Sequence, residues 1–111
     1  MRIAVYTIAL NEAQFAERWA QSTSGADYTL VADTGSTDAT VTMLRQSGVT
    51  VVPITVRPWR FDDARNAALA LLPSDIDVVV SLDMDEVLTS DWRQSLETSW
   101  QNCTQIGRAH V

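Results

Sequence analysis

A pair of acidic residues has the spacing that a divalent cation site requires. Asp83 and Asp85 stand two residues apart, directly after a continuous apolar run that ends at Leu82. Two carboxylates at this spacing can converge on one hard cation, which keeps several waters and takes phosphate oxygens as further ligands. The alternative is that both acids lie solvated in a loop or cap the next helix.

A second polar cluster follows an earlier β-rich run. Asp33 ends that run and precedes Thr-Gly-Ser-Thr-Asp, in which Gly35 permits a turn with positive φ. Residues 36–38 can accept hydrogen bonds from the first amides of the next helix, and Asp38 is a candidate N-cap. Capping explains most of this segment but not the aspartate at the strand's end, where a nucleobase or ribose hydroxyl could be contacted.

A third cluster stands at the start of an Ala- and Leu-rich helical pattern. Asp62 or Asp63 is the predicted cap of this helix, since acids suit the positive end of the helix dipole. Arg65 is less expected there because a cation is mildly disfavoured in the first turn. Its position indicates a role such as contacting a nucleotide or pairing with Asp33 or Asp83.

The elements that must position these clusters alternate along the chain. Pro53 predicts an edge position or a bulge for the third strand, and Gly48 ends the second helix. The alternation predicts an α/β fold with a doubly wound, mostly parallel sheet, in which ligands bind outside the carboxyl ends of the strands. The predicted strands span residues 2–8, 28–33, 49–56 and 77–82, and the predicted helices span 12–21, 38–48, 62–72 and a last one from about 91.

Composition excludes several classes of function. The net charge of the 111 residues is -6 and every basic residue is Arg, so a basic surface for nucleic acid is not expected. A lone Cys103 rules out a disulfide framework, and a lone His110 leaves no base for a Ser-His-Asp or Cys-His site. The sequence also has no glycine-rich dinucleotide motif and no Walker A loop.

No targeting or membrane-spanning segment is predicted. The N-terminal run lacks the cleavage pattern of a signal peptide, and no stretch reaches the ~20 apolar residues of a membrane span. We therefore predict a cytoplasmic protein, with peripheral association at the inner membrane as an open alternative. Of the four tryptophans, which are predicted to pack in the core, Trp59 beside Pro58 is the one expected to face a ligand.

Taken in order, the polar clusters resemble the N-terminal half of family 2 glycosyltransferases, which have the GT-A fold. The second and third clusters resemble a bacterial branch that includes lipopolysaccharide-core transferases. The resemblance covers residues 1 to about 100, and it implies a truncated, Rossmann-like nucleotide-diphospho-sugar transferase fold. The matching segments are Ala9-Leu10-Asn11-Glu12, Asp33-Thr34-Gly35-Ser36-Thr37-Asp38, Ala64-Arg65-Asn66 and Asp83-Met84-Asp85-Glu86.

The resemblance implies a role for each matching residue. Asp33 is expected to contact the base with Arg65 beside it, and Asp83 to lie near the ribose or sugar. Asp85 is expected to bind the cation, Mg²⁺ or Mn²⁺, that holds the diphosphate. The nucleotide-sugar-binding set is Ala9, Leu10, Glu12, Asp33, Arg65 and Asp83.

The chain departs from the family pattern at two positions. Ile8 stands where many members have Pro, and Glu86 follows Asp85 directly, where it could be a capping acid. An envelope polysaccharide, lipopolysaccharide or similar glycan is the acceptor class that the resemblance implies. The resemblance places the acceptor-binding half and the catalytic base after the metal motif. No catalytic base is therefore assigned, and both are expected beyond the end of this chain.

The last six residues suggest a non-native tail. Residues 106–111, Ile-Gly-Arg-Ala-His-Val, are the translation of ATC GGA AGA GCA CAC GTC, a stretch of a sequencing-library adapter. We therefore expect residues 1–105 to be a GT-A half-domain and 106–111 to be foreign. A stop codon after Val111 in genomic DNA would contradict this expectation.

Two other functions remain open from the sequence. Residues 82–88 resemble the first motif of haloacid-dehalogenase-type phosphatases, in which Asp83 would be the nucleophile and Asp85 the general acid. That motif normally follows the first strand, whereas three strand-helix units precede it here. The second alternative is a nucleotide-binding module without catalysis.

Overall fold

The computed structural model of the chain describes residues 1–101 and 109–110. Strands and helices alternate through the described part in the order that the sequence predicts. The strands are β1 (Ile3–Ala9), β2 (Tyr28–Asp33), β3 (Thr50–Pro53), β4 (Val78–Ser81) and the two-residue β5 (Ala109–His110). The helices are α1 (Ala13–Ser22), α2 (Thr40–Gln46), α3 (Phe61–Ala70) and α4 (Trp92–Gln101).

The strands form one sheet in the order β3-β2-β1-β4-β5, and every pairing is parallel. The predicted doubly wound α/β fold is thus confirmed. From β1 the chain moves outward to β2 and β3, and it then crosses back to place β4 on the other side of β1. This reversal opens a crevice at the carboxyl ends of β1 and β4, where ligands bind in open α/β sheets.

Helices cover both faces of the sheet and close two apolar cores. Trp19 of α1 and Leu44 of α2 are fully buried on one face, and α4 packs against the same core. On the other face Ala68 of α3 packs against Tyr6 and Leu30. Because β1 is covered on both faces, its residues read as one apolar run.

The capping predictions were wrong at two helices. The N-cap of α2 is Ala39 rather than Asp38, and α3 begins at Phe61 with Arg60 as its N-cap. The Asp38 carboxylate accepts hydrogen bonds from Thr40 and from the first amide of α1, so it serves two elements at once. Asp62 and Asp63 lie within the first turn of α3, where they still face the positive end of its dipole.

The remaining boundaries shift by a few residues. Strand β3 is shorter than predicted, and it lies at the edge of the sheet, as Pro53 predicts. Gly48 follows α2 with φ 86°, which confirms it as the residue that ends the helix. None of the described helices is both long and apolar enough to span a membrane. The predicted foreign tail stays a prediction, since residues 106–108 and 111 lie outside the described residues.

Candidate functional site

The loops that follow β1 and β2 are bonded to each other at the carboxyl edge of the sheet. Asn11 has φ 52°, and its side-chain oxygen accepts hydrogen bonds from the amides of Thr37 (2.7 Å) and Asp38 (3.3 Å). In return, the Asn11 amide donates to the Ser36 hydroxyl at 2.8 Å. Asparagine tolerates the left-handed region because its short polar side chain bonds locally. The two loops therefore form one rigid unit.

Asp33 organises the second of these loops. Its side chain is 5% exposed, and one carboxylate oxygen accepts from the amides of Gly35 (3.1 Å) and Ser36 (2.9 Å). The other oxygen accepts from the Ser36 hydroxyl. The aspartate that capping of α2 did not explain thus shapes its own turn. Its predicted contact with a base remains a prediction.

A cleft of about 470 Å³ opens between the ends of β1 and β2. We call it the β1–β2 cleft. Its size lies within the range of small-ligand sites. Three of its apolar side chains are more than half exposed: Leu10 at 53%, Trp59 at 55% and Phe61 at 59%. The cleft is lined by Ile8, Ala9, Leu10, Glu12, Thr34, Trp59 and Phe61.

A smaller cleft of about 100 Å³ lies at the crevice between β1 and β4, and we call it the β1–β4 cleft. Arg65 and Asp83 both line it, so the structure brings these two predicted site residues together. The Arg65 guanidinium donates to the Tyr6 hydroxyl at 3.2 Å. Ile8 and Phe61 line both clefts, which are therefore adjacent.

A tight turn over residues 83–86 carries the two aspartates. The Glu86 amide donates to the Asp83 carbonyl at 2.9 Å, and the Asp83 amide donates to the Glu86 carboxylate at 3.0 Å. Glu86 therefore caps this turn. The sequence had left open whether Glu86, which departs from the family pattern, is a capping acid. Met84 is 2% exposed and points into the core, whereas Asp83 and Asp85 are exposed.

Two side chains of helix α1 donate hydrogen bonds to main-chain carbonyls at this turn. The indole of Trp19, which is fully buried, donates to the Leu82 carbonyl at 3.0 Å. The Arg18 guanidinium donates to the Asp85 carbonyl at 3.0 Å. The prediction that Trp19 packs in the core is confirmed. Its hydrogen bond to Leu82 and the hydrogen bond from Arg18 to Asp85 were not predicted.

The acidic side chains at this edge influence one another. Burial raises the pKa of the Glu12 carboxyl, and the negative charges of Asp85, Asp83 and Asp38 raise it further. Like charges thus face one region of the protein, where a cation would relieve their repulsion. The described residues contain no group of three His, Cys, Asp or Glu side chains suited to a metal ion. A cation here would need phosphate oxygens and water as further ligands, as Mg²⁺ commonly does.

The predicted site residues therefore gather at one edge of the sheet in two groups. Ala9, Leu10 and Glu12 line the β1–β2 cleft, and Arg65 and Asp83 line the β1–β4 cleft. Asp33 lies buried under its own loop, and the Arg65 guanidinium donates to the Tyr6 hydroxyl. The predicted pairing of Arg65 with Asp33 or Asp83 stays a prediction. Phe61 is a cleft residue that sequence reasoning missed. An aromatic residue directly before the predicted start of α3 was the available signal.

Comparison with solved structures identifies the fold. The crystal structure of glucosyl-3-phosphoglycerate synthase from Mycobacterium tuberculosis with Mn²⁺, UDP and glucosyl-3-phosphoglycerate is 34% identical, with a TM-score of 0.63 over 75% of this chain. A further structure of that enzyme gives 34% identity and a TM-score of 0.65 over 78% of this chain. The described chain has the fold of the N-terminal part of a GT-A glycosyltransferase.

A further solved structure also matches, and the chain covers only part of each of these neighbours. A mycobacterial protein is 30% identical, with a TM-score of 0.64 over 76% of this chain. The chain spans about a third of the length of these neighbours, namely 33%, 35% and 31%. No family model matches the chain, and a search of curated proteins finds no match. The predicted resemblance to the N-terminal part of a GT-A glycosyltransferase is confirmed.

Proposed function

We propose that this chain is the donor-binding part of a family 2 glycosyltransferase, which transfers a sugar from a nucleotide-diphospho-sugar to an acceptor. The observation that carries the proposal is the turn over residues 83–86, which presents two exposed carboxylates beside two adjacent clefts at the carboxyl edge of a parallel sheet. Solved neighbours with this fold contain UDP and Mn²⁺. These neighbours support a uridine diphosphate sugar as the first donor to test.

Each part of the edge then has a role toward the donor. The nucleoside occupies the β1–β2 cleft, where Leu10 and Trp59 offer apolar surface to a base. Asp85 holds a divalent cation with the diphosphate, and Asp83 lies toward the sugar. When bound, the cation neutralises charge on the departing nucleoside diphosphate. Arg65 and the Tyr6 hydroxyl line the wall beside Asp83, and they are suited to orient polar groups of the donor.

Calorimetry with UDP and Mn²⁺ tests the donor site on the chain itself. We expect Asp85→Asn to weaken binding by at least about tenfold, since even outer-shell partners of a metal are worth 10- to 100-fold. Asp75→Asn is the matched control, because Asp75 lies before β4 at the opposite edge of the sheet and pairs only on the surface with Arg2. A folded chain that binds neither UDP nor GDP would refute the proposal.

Sugar transfer or hydrolysis of the donor, measured on the whole transferase that contains this donor-binding part, separates a transferase from a nucleotide-binding module. We propose an envelope polysaccharide, a lipopolysaccharide or a similar glycan as the acceptor, supported by the resemblance of residues 33–38 and 58–66 to that bacterial branch. Phosphoglyceric acid is the second acceptor to test, because a neighbour with this fold is solved with it. Transfer to only one of the two acceptors decides between them.

A further inference from the structure

The turn that carries the proposed cation ligand has few contacts of its own. Two reciprocal hydrogen bonds join Asp83 and Glu86, and Met84 is buried beneath them. Asp85 stands at the exposed tip, where an unsupported main chain samples several conformations. A carboxylate used as a metal ligand needs a fixed main chain, since a small displacement removes it from the cation.

Helix α1 supplies that support from a distant part of the sequence. Arg18 donates to the Asp85 carbonyl at 3.0 Å, across 67 residues of chain. One residue further on, Trp19 fixes the Leu82 carbonyl at the start of the turn. The two donors thus hold both ends of the segment that contains Asp83 and Asp85.

The side chain of Arg18 is itself held in place. Its guanidinium lies over the Phe15 ring, 5.4 Å from the ring centre, and Phe15 packs against the core one turn earlier on α1. A cation over an aromatic face is stabilised. Because this contact already restricts the long side chain, less conformational entropy is lost when it binds the turn.

We propose that Arg18 is a positioning residue, whose guanidinium holds the main chain of Asp85 in the conformation that the donor's cation requires. This inference rests on the proposed function for its role in donor binding, but the restraint on the turn is a property of the free protein. Arg18 is exposed, so its removal leaves the core intact.

The test compares Arg18→Ala with Arg45→Ala in the full chain. Arg45 is an exposed arginine on α2 that also donates to a main-chain carbonyl, that of Val51 at 3.3 Å, away from the turn. Both variants therefore lose one charge and one hydrogen bond of the same kind, and Arg18→Ala also loses the contact with Phe15. We expect similar melting temperatures, and in Arg18→Ala alone about three- to tenfold weaker binding of UDP with Mn²⁺, the range of one ordinary intramolecular hydrogen bond.

Amide hydrogen exchange without metal or nucleotide gives the second measurement. Exchange at the amides of Asp83 and Glu86 is expected to be faster in Arg18→Ala, by a similar factor, and unchanged in Arg45→Ala. Weaker binding with unchanged exchange would mean that Arg18 acts on the ligand through its charge, and it would overturn the inference. Unchanged exchange and unchanged binding would overturn it as well. If the wild-type chain binds no nucleotide, the proposed function fails. The exchange comparison would still show whether Arg18 restrains the turn over residues 83–86.

Discussion

Replacement of Asn11 tests how strongly the two loops of the β1–β2 cleft are joined. Asn11→Ala removes the acceptor for the amides of Thr37 and Asp38 and leaves an alanine at φ 52°. Each lost hydrogen bond costs about 0.5–1.5 kcal/mol, and a left-handed alanine costs about 1–2 kcal/mol. We expect Asn11→Ala to lose about 2–5 kcal/mol of unfolding free energy, measured by urea denaturation.

Asn11→Gly is the matched variant, because it loses the same side-chain hydrogen bonds without the backbone strain. We expect it to be more stable than Asn11→Ala by about 1 kcal/mol, which separates strain from bonding. Both variants are expected to bind UDP more weakly, since fewer hydrogen bonds join the two loops. If the two variants are equally stable, alanine is not strained at this position. If both are as stable as the wild type, the hydrogen bonds of the Asn11 side chain do not stabilise the fold.

Three further predictions follow from single contacts. Trp19→Phe leaves the buried Leu82 carbonyl without its donor and is expected to cost about 1–3 kcal/mol in urea denaturation; an unchanged midpoint would contradict this. Trp59→Ala is expected to weaken UDP binding in calorimetry at unchanged melting temperature, because the side chain is 55% exposed; equal affinity would exclude it from the site. The hydrogen bond from the Ile3 amide holds the pKa of Asp27 below its usual 3.8. The ionised Asp27 carboxylate therefore stabilises the fold fully at a pH above 3.8, and this stabilisation is lost as the pH falls through the lowered pKa of the folded state. The stability difference between wild type and Asp27→Asn should therefore narrow on acidification, and a constant difference would contradict it.

Local chemistry made much of the fold predictable. The apolar runs of β1 and β4 have the composition of strands covered on both faces, and Pro53 marked the edge strand correctly. Gly48 marked the end of α2, because a positive φ at that position favours glycine. The alternation of strands and helices then placed the polar clusters at one edge of the sheet.

Tertiary contacts decided what the sequence could not predict. Asp38 is a residue type that often caps helices, but its carboxylate accepts a hydrogen bond from the first amide of α1, and the N-cap of α2 is Ala39. The periodicity of α1 placed Trp19 in the core, yet nothing local indicates that its indole bonds to Leu82, 63 residues later. Arg18 was missed for the same reason, since an exposed arginine on a helix ordinarily needs no partner.

The ten-residue helix α1 has a consequence for engineering this fold. Its first amides bond to Asp38 and Thr40 after β2, and its middle bonds to the turn after β4. The two loops are therefore not independent parts that can be exchanged separately between related proteins. A chimera that takes either loop from a related protein should take α1 from that protein as well. If α1 is not exchanged, the new loop is expected to lack the hydrogen bonds that α1 of its own protein supplies.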